Sequence, residues 1–212
     1  MGERTSVYVV DDDPGIRDSL QFLFESQNMG VEVFASAREF LAAGGARRTG
    51  CVVADVRMPD MTGLELQEEL ARGKSAVAVI LITGHADVPM AVRAMRAGAF
   101  DFLEKPIADD ALFNSVRRAL AAQKVQAPRP LADPDRIAAI TARLALLTPR
   151  EREVLDHIVQ GGPHKVIAHA LKISPRTIEV HRARIMQKLE ARNLAHLVEM
   201  VLTSGAKAPG KP

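Results

Sequence analysis

Five side chains in the first half of this 212-residue sequence have the types and spacing for charge chemistry at one rim. Asp11 and Asp12 follow the apolar run Ser6–Val10, and Asp55 lies at the end of the run Gly50–Val56. If these runs are neighbouring strands, the three carboxylates repel one another unless a cation sits between them. A hard divalent ion with oxygen ligands and retained water, Mg²⁺, suits that need best. Strand-end aspartates also serve as helix caps, and Asp13, followed by Pro14, reads as that alone. Thr83 ends another apolar run with a hydroxyl, and Lys105 ends a fifth with an ammonium. At the same rim they supply a donor and a cation for a new anion on Asp55. Metal plus lysine would stabilise charge on a transferring phosphoryl group.

A regular alternation of elements is needed to bring these groups together. Strands are expected at Ser6–Val10, Val31–Phe34, Gly50–Val56, Ala76–Thr83 and Ala99–Glu104. Helices fit after Pro14, after a cap at Ser36, and at 62–72, 86–97 and 108–123. Short apolar strands alternating with helices predict a parallel sheet covered on both faces. Five of them make a doubly wound α/β domain, whose ligands sit outside the carboxyl ends of the strands.

The composition then changes. Gln126–Pro134 holds three prolines and reads as an extended linker, ending in a helix capped by Asp133-Pro134. Ile137, Ile140, Leu144 and Leu147 form that helix's stripe, which could lean on either domain or pair with a second copy. From Leu147 the pattern is all helical. Thr148-Pro149-Arg150-Glu151 is a capping box, Lys165–Leu171 a short second helix, Ser174-Pro175 the start of a third and Asn193 the cap of a fourth. The expected domains are 1–123, a linker and linker helix at 124–146, an all-α four-helix domain at 147–204, and a loose tail at 205–212.

Charge divides along the same line. Residues 1–123 carry 18 acidic against 13 basic side chains, or −5; residues 124–212 carry 8 against 15, or +7. A basic second half is suited to a polyanion. With one cysteine, Cys51, no internal disulfide or thiolate cluster is possible, and Cys51 reads as a small core residue. The absence of tryptophan and the single tyrosine argue against a stacking platform for single strands. His157, His164, His169 and His196 lack zinc-site spacing. The longest apolar run, Ala76–Ile82, is too short for a membrane span, and no secretory signal opens the chain, so a cytoplasmic location is expected. No GxxxxGK[ST], GxGxxG or GxSxG occurs. An aspartyl phosphatase would need an acid two residues after Asp55, where Arg57 stands.

Residues 6–123 resemble the receiver domain of two-component response regulators. The resemblance rests on Val10-Asp11-Asp12-Asp13, Asp55-Val56-Arg57-Met58-Pro59-Asp60-Met61-Thr62-Gly63, Thr83-Gly84-His85 and Lys105-Pro106. It implies Asp55 as phosphoacceptor, with Asp11, Asp12, Asp55 and the Arg57 carbonyl around Mg²⁺. It also implies a cis bond before Pro106, and a switch in which Thr83 turns inward and the Phe102 ring follows. Residues 147–202 resemble the LuxR-type helix-turn-helix output domain, through Leu147–Leu155, Lys165-Val166-Ile167-Ala168 and Ile173–Arg182. Together these define the NarL/FixJ family. One departure is Gly161-Gly162-Pro163-His164-Lys165, where the family has Gly-Leu-Ser-Asn-Lys.

On the third helix of the second domain, Ile178, His181 and Ile185 are expected to face the core. Glu179, Val180 and Ala183 would then lie on the opposite side, the face from which the resemblance implies that base edges are read. Arg176, Thr177, Arg182, Arg184 and Lys188 would contact phosphates. The outer side of the fourth helix and fifth strand of the first domain offers Val92, Arg96 and Phe100, and the resemblance implies that this face pairs two receivers. The expected function is phosphorylation-controlled transcription regulation rather than enzymatic turnover, with a histidine kinase, double-stranded promoter DNA, a second copy of the chain and RNA polymerase as partners. The alternative is a phosphorylation-independent DNA-binding regulator whose first domain only dimerises or docks proteins.

Overall fold

In the computed structural model, residues 6–84, 88–124 and 134–205 are described. His85, most of the proline-rich linker with the expected cap Asp133, and the tail beyond Gly205 lie outside these residues. The chain divides into two units, residues 1–85 with 96–127, and residues 86–95 with 128–212.

In the first unit, β1 (Ser6–Val10), β2 (Gly30–Phe34), β3 (Cys51–Asp55), β4 (Ala78–Thr83) and β5 (Asp101–Glu104) form one sheet in the order β2-β1-β3-β4-β5. All four pairings are parallel. Between and after the strands come α1 (Pro14–Ser26), α2 (Ala37–Ala42), α3 (Gly63–Arg72) and α5 (Asp109–Lys124), while α4 (Val88–Arg96) stands between β4 and β5 in the chain and, up to Met95, groups with the second unit. Side chains alternate across a strand, so Val7, Val9, Cys51, Val53, Ile80, Ile82 and Leu103 share one face. There they pack with Phe24 of α1 and Phe113, Val116 and Leu120 of α5. The other face buries Tyr8, Val52, Val79 and Leu81, and Tyr8 meets Phe40 of α2 with ring centroids 5.6 Å apart. Cys51 is a fully buried core residue.

The strands match the expected ones to within two residues at each end. The caps match as well: the Asp13 carboxylate accepts from Gly15 N at 2.7 Å, Ser36 caps α2, and Thr62 opens α3 with a capping box. A 3-10 turn at Gly45–Arg47 was not anticipated, because three residues carry no periodicity.

The second unit contains α6 (Pro134–Ala145), α7 (Pro149–Val159), α8 (His164–Leu171), α9 (Pro175–Leu189) and α10 (Leu194–Ser204). The Thr148–Glu151 capping box, the Ser174 cap and the Asn193 cap are all formed. Val154, Leu155, Ile158, Ile167, Ile178, Ile185, Leu189, Leu197 and Val198 are buried. The open question of α6 is answered here, because its Ile140 and Leu144 are buried and it packs on α9 and α10. Arg136 holds Glu199 at 2.9 Å and Arg143 holds Glu190 at 2.5 Å, which fixes its register.

Candidate functional site

The register of the sheet brings the acids together. Val10 lies opposite Ala54 in the β1–β3 pairing, so the next residues, Asp11 and Asp55, emerge side by side at the carboxyl rim. Both are buried, at 2% and 7% exposure. Lys105, just beyond β5 and joined to Pro106 by a cis bond, places its Nζ 2.7 Å from Asp55 Oδ1 and 3.1 Å from Asp11 Oδ2. The other oxygen of each carboxylate is also directed: Asp55 Oδ2 accepts from Arg57 N at 2.5 Å and Asp11 Oδ1 from Asp13 N at 3.0 Å. Thr83 ends β4, fully buried, and its carbonyl accepts from Lys105 N at 2.7 Å. Phe102 is buried on β5 opposite Leu81. Asp12 is exposed beside them, and so is Arg57.

Gly63 shows how closely this rim is built. A Cβ there would stand 2.3 Å from the Asp55 carbonyl oxygen, so only glycine lets α3 start directly behind the site.

Electrostatically the rim is short of positive charge. Burial pushes the Asp11 carboxyl above its ordinary range, and the Asp13 amide and Lys105 offset only part of that. Burial also works against the Lys105 ammonium, yet its hydrogen bonds to Asp55 and Asp11 outweigh this and raise it. One lysine thus serves two carboxylates without satisfying the more buried one. Hard oxygen donors with excess negative charge fit a small divalent cation. Among the described residues, no three His, Cys, Asp or Glu side chains converge tightly enough to enclose an ion by themselves. Water and a backbone carbonyl would have to complete any such shell.

In the second unit α9 carries the expected two-faced pattern. Ile178, Ile185 and Leu189 are fully buried, and His181 is half-buried with its Nδ1 unpartnered among the described residues. Arg176, Glu179, Val180, Ala183 and Arg184 are exposed, with Val180 at 44%. Arg182 is half-buried. The Thr177 hydroxyl shares a 2.8 Å hydrogen bond with Ser174 at the cap. At the Gly162-Pro163 departure, α8 starts without a side-chain cap, and Ile167 packs 3.1 Å from where a Gly162 Cβ would stand. Burial, with Arg182 nearby, lowers the His164 imidazole below its ordinary pKa.

Two expectations need correction. Lys188 does not offer its charge outward. Its Nζ lies 2.7 Å from Glu151 Oε2 and 3.2 Å from the Leu146 carbonyl, holding a carboxylate whose side chain is only 4% exposed. The buried acid attracts the lysine inward because an uncompensated buried charge is costly. The face Val92, Arg96 and Phe100 needs correction at Phe100, which packs against the core of the first unit with the Arg118 guanidinium over its ring. Arg96 is exposed.

Sequence reasoning also passed over Arg17. Its Nη1 donates to the carbonyls of Asp11 at 2.7 Å and Asp12 at 3.0 Å. The available signal was a cation in the first turn of a helix, where the dipole disfavours it.

The comparisons agree with this geometry. Residues 7–117 match the model of the response regulator receiver domain, and residues 145–201 that of the bacterial regulatory proteins of the luxR family. The chain belongs to the two-component response regulators of the FixJ kind, which join such a receiver to a LuxR-type DNA-binding domain. The transcriptional regulatory protein FixJ of Bradyrhizobium diazoefficiens is 43% identical over 206 residues, covering 97% of this chain and 98% of that protein. FixJ of Rhizobium meliloti is 46% identical over 200 residues, covering 94% and 96%. Among solved structures, full-length FixJ from B. japonicum matches with a TM-score of 0.53 and 42% identity, covering 96% of this chain and 98% of that one. The response regulator StyR matches at 0.55 and 40%, covering 93% and 98%. Among the described residues no helix is long and apolar enough to cross a membrane.

Proposed function

We propose that the chain accepts a phosphoryl group on Asp55 from a histidine kinase, and that this controls its dimerisation and its binding to promoter DNA. The observation that carries the proposal is the Asp55 carboxylate, buried at a strand end with the Lys105 ammonium 2.7 Å away. A carboxylate oxygen of Asp55 attacks phosphorus. The bond from phosphorus to the donor's imidazole nitrogen breaks, and its electron pair stays on that nitrogen. Lys105 neutralises charge on the new acyl phosphate, and Arg57 N holds the second carboxylate oxygen in place. Asp11, Asp12, Asp55 and the Arg57 carbonyl would hold Mg²⁺, which supplies further charge neutralisation for the phosphoryl oxygens. Thr83 would donate to the phosphoryl group, and Phe102 would follow its movement.

In the output domain, Glu179, Val180 and Ala183 read base edges, while Arg176, Thr177, Arg182 and Arg184 contact phosphates. The domains are 1–123, 147–204 and the segment between them. RNA polymerase is the expected further partner at a promoter, and the cytoplasm the expected location.

The test is incubation with Mg²⁺ and acetyl phosphate, read by intact mass and sedimentation. The wild type gains one phosphoryl mass and shifts from monomer to dimer, and Asp55→Asn does neither. No mass gain in the wild type would favour a receiver that only docks or dimerises.

A further inference from the structure

Arg17 lies outside the set of groups assigned to phosphoryl chemistry, yet it is bonded to the loop that carries two of them. Its Nη1 bridges the carbonyl oxygens of Asp11 and Asp12, at 2.7 and 3.0 Å. These carbonyls belong to the two peptide planes that flank Asp12. Fixing both planes fixes the direction in which the Asp12 side chain leaves the backbone, because only two soft dihedrals lie between them. The three acids differ in how they are held. Asp11 is oriented by Asp13 N and Lys105, and Asp55 by Arg57 N and Lys105. The Asp12 carboxylate is exposed and makes no hydrogen bond or ion pair among the described residues. Its aim therefore depends on the backbone, and Arg17 is the side chain that holds that backbone.

The anchor is itself rigidly placed. Arg17 N donates to Asp13 O at 3.1 Å, and Asp13 caps the same helix through Gly15 N, so the guanidinium projects from a fixed first turn. A cation in that turn opposes the helix dipole. Two charge-assisted hydrogen bonds to the β1–α1 loop offset the cost.

We infer that Arg17 is a positioning residue for the cation site, acting on Mg²⁺ affinity through the backbone of Asp11 and Asp12 rather than through its charge. The inference rests on the proposed phosphoryl-acceptor function. Charge and position pull in opposite directions here, which makes them separable. Arg17 is a cation near a cation site, so by charge alone its removal would tighten Mg²⁺ binding. By position its removal loosens Asp12 and weakens binding. Partners that orient ligands are worth about 10- to 100-fold in metal affinity, and this one orients a single ligand, so about 10-fold is expected.

The experiment titrates the full unphosphorylated chain with Mg²⁺ by calorimetry, using wild type, Arg17→Gln and Arg17→Lys. It then measures acetyl phosphate labelling across Mg²⁺ concentration. Both variants should bind Mg²⁺ more weakly, by about 10-fold for Arg17→Gln and less for Arg17→Lys, which keeps one of the two bonds. Both should recover labelling near the wild-type rate at saturating Mg²⁺. If Arg17→Gln binds Mg²⁺ as tightly as the wild type or more tightly, the inference is overturned. It is equally overturned if Mg²⁺ cannot restore labelling. Arg17→Lys, with the charge kept, guards against a misfolded Arg17→Gln, and circular dichroism checks both. A wild type that binds Mg²⁺ but takes no phosphoryl group refutes the proposed function while leaving the calorimetric comparison intact.

Discussion

Replacing Lys188 with Met separates an internal clamp from a DNA contact. The ammonium stands 2.7 Å from Glu151 Oε2, with the lysine side chain 34% exposed and the carboxylate's 4%. Lys188, then the Thr148 amide, holds the Glu151 carboxyl at about 2 against an ordinary 4.5, with burial opposing them. A tenfold change in acidity is worth about 1.4 kcal/mol, so the linkage is bounded at ~3 kcal/mol. The part-exposed ammonium is screened by water, which discounts this to ~1–2 kcal/mol. Glu151 is depressed in the folded state, so its contribution is complete above pH 4.5 and is lost as pH falls from there through about 2. Hydrogen exchange at α7 and α9 amides in the full chain reads the opening free energy of that unit directly. At pH 7, Lys188→Met should lower it by ~1–2 kcal/mol, with most of the loss absent in an Glu151→Gln background. The salt dependence of DNA binding should keep its slope, whereas losing a phosphate contact reduces it by about one. A slope that falls by about one with α9 protection unchanged would refute the clamp.

Glu179→Ala should change which sequence is preferred in a selection from random duplexes, by ~1–3 kcal/mol per base contact; an unchanged preference would place base reading on another face. Gln123→Ala removes the amide that accepts from Gly50 N at 2.8 Å and donates to the Gly50 and Ala76 carbonyls at 2.6 and 2.5 Å. Urea melting followed by circular dichroism should show the first unit less stable by ~1–3 kcal/mol, and an unchanged midpoint would mean water replaces the amide.

What the sequence revealed depends on the range of the interactions involved. Asp13, Ser36, Thr148, Ser174 and Asn193 are legible as caps because each bonds an amide two or three residues away. The meeting of Asp11 with Asp55 is legible too, since parallel register follows from apolar runs of similar length and ligands gather at strand ends. The partner of α6 was not legible, because an apolar stripe states that something covers it without stating what. Arg17 was missed for a related reason. It acts on carbonyls, which every residue has, so no residue type marks its partner.

The two lysines show the same limit more sharply. Lys105 and Lys188 each lie within 2.7 Å of a buried carboxylate, 50 and 37 residues away in the chain. Lys105 ends a strand at the rim where other acids gather, and that position already suggests its role. Lys188 sits among exposed basic residues on a helix, so the sequence assigns it to them. Its neighbours Arg184 and Gln187 are exposed, yet Ile185 and Leu189 on either side are fully buried. A lysine on the border of a buried stripe has a stem long enough to lie along the core and a charge free to turn either way. What decides is whether an acid is buried within reach. Here the acid is Glu151, which the capping box already draws toward Thr148 N at 2.8 Å. A capping-box glutamate at a packed helix start therefore marks a cation to be sought on the helix that packs against it, and in this unit that helix is α9.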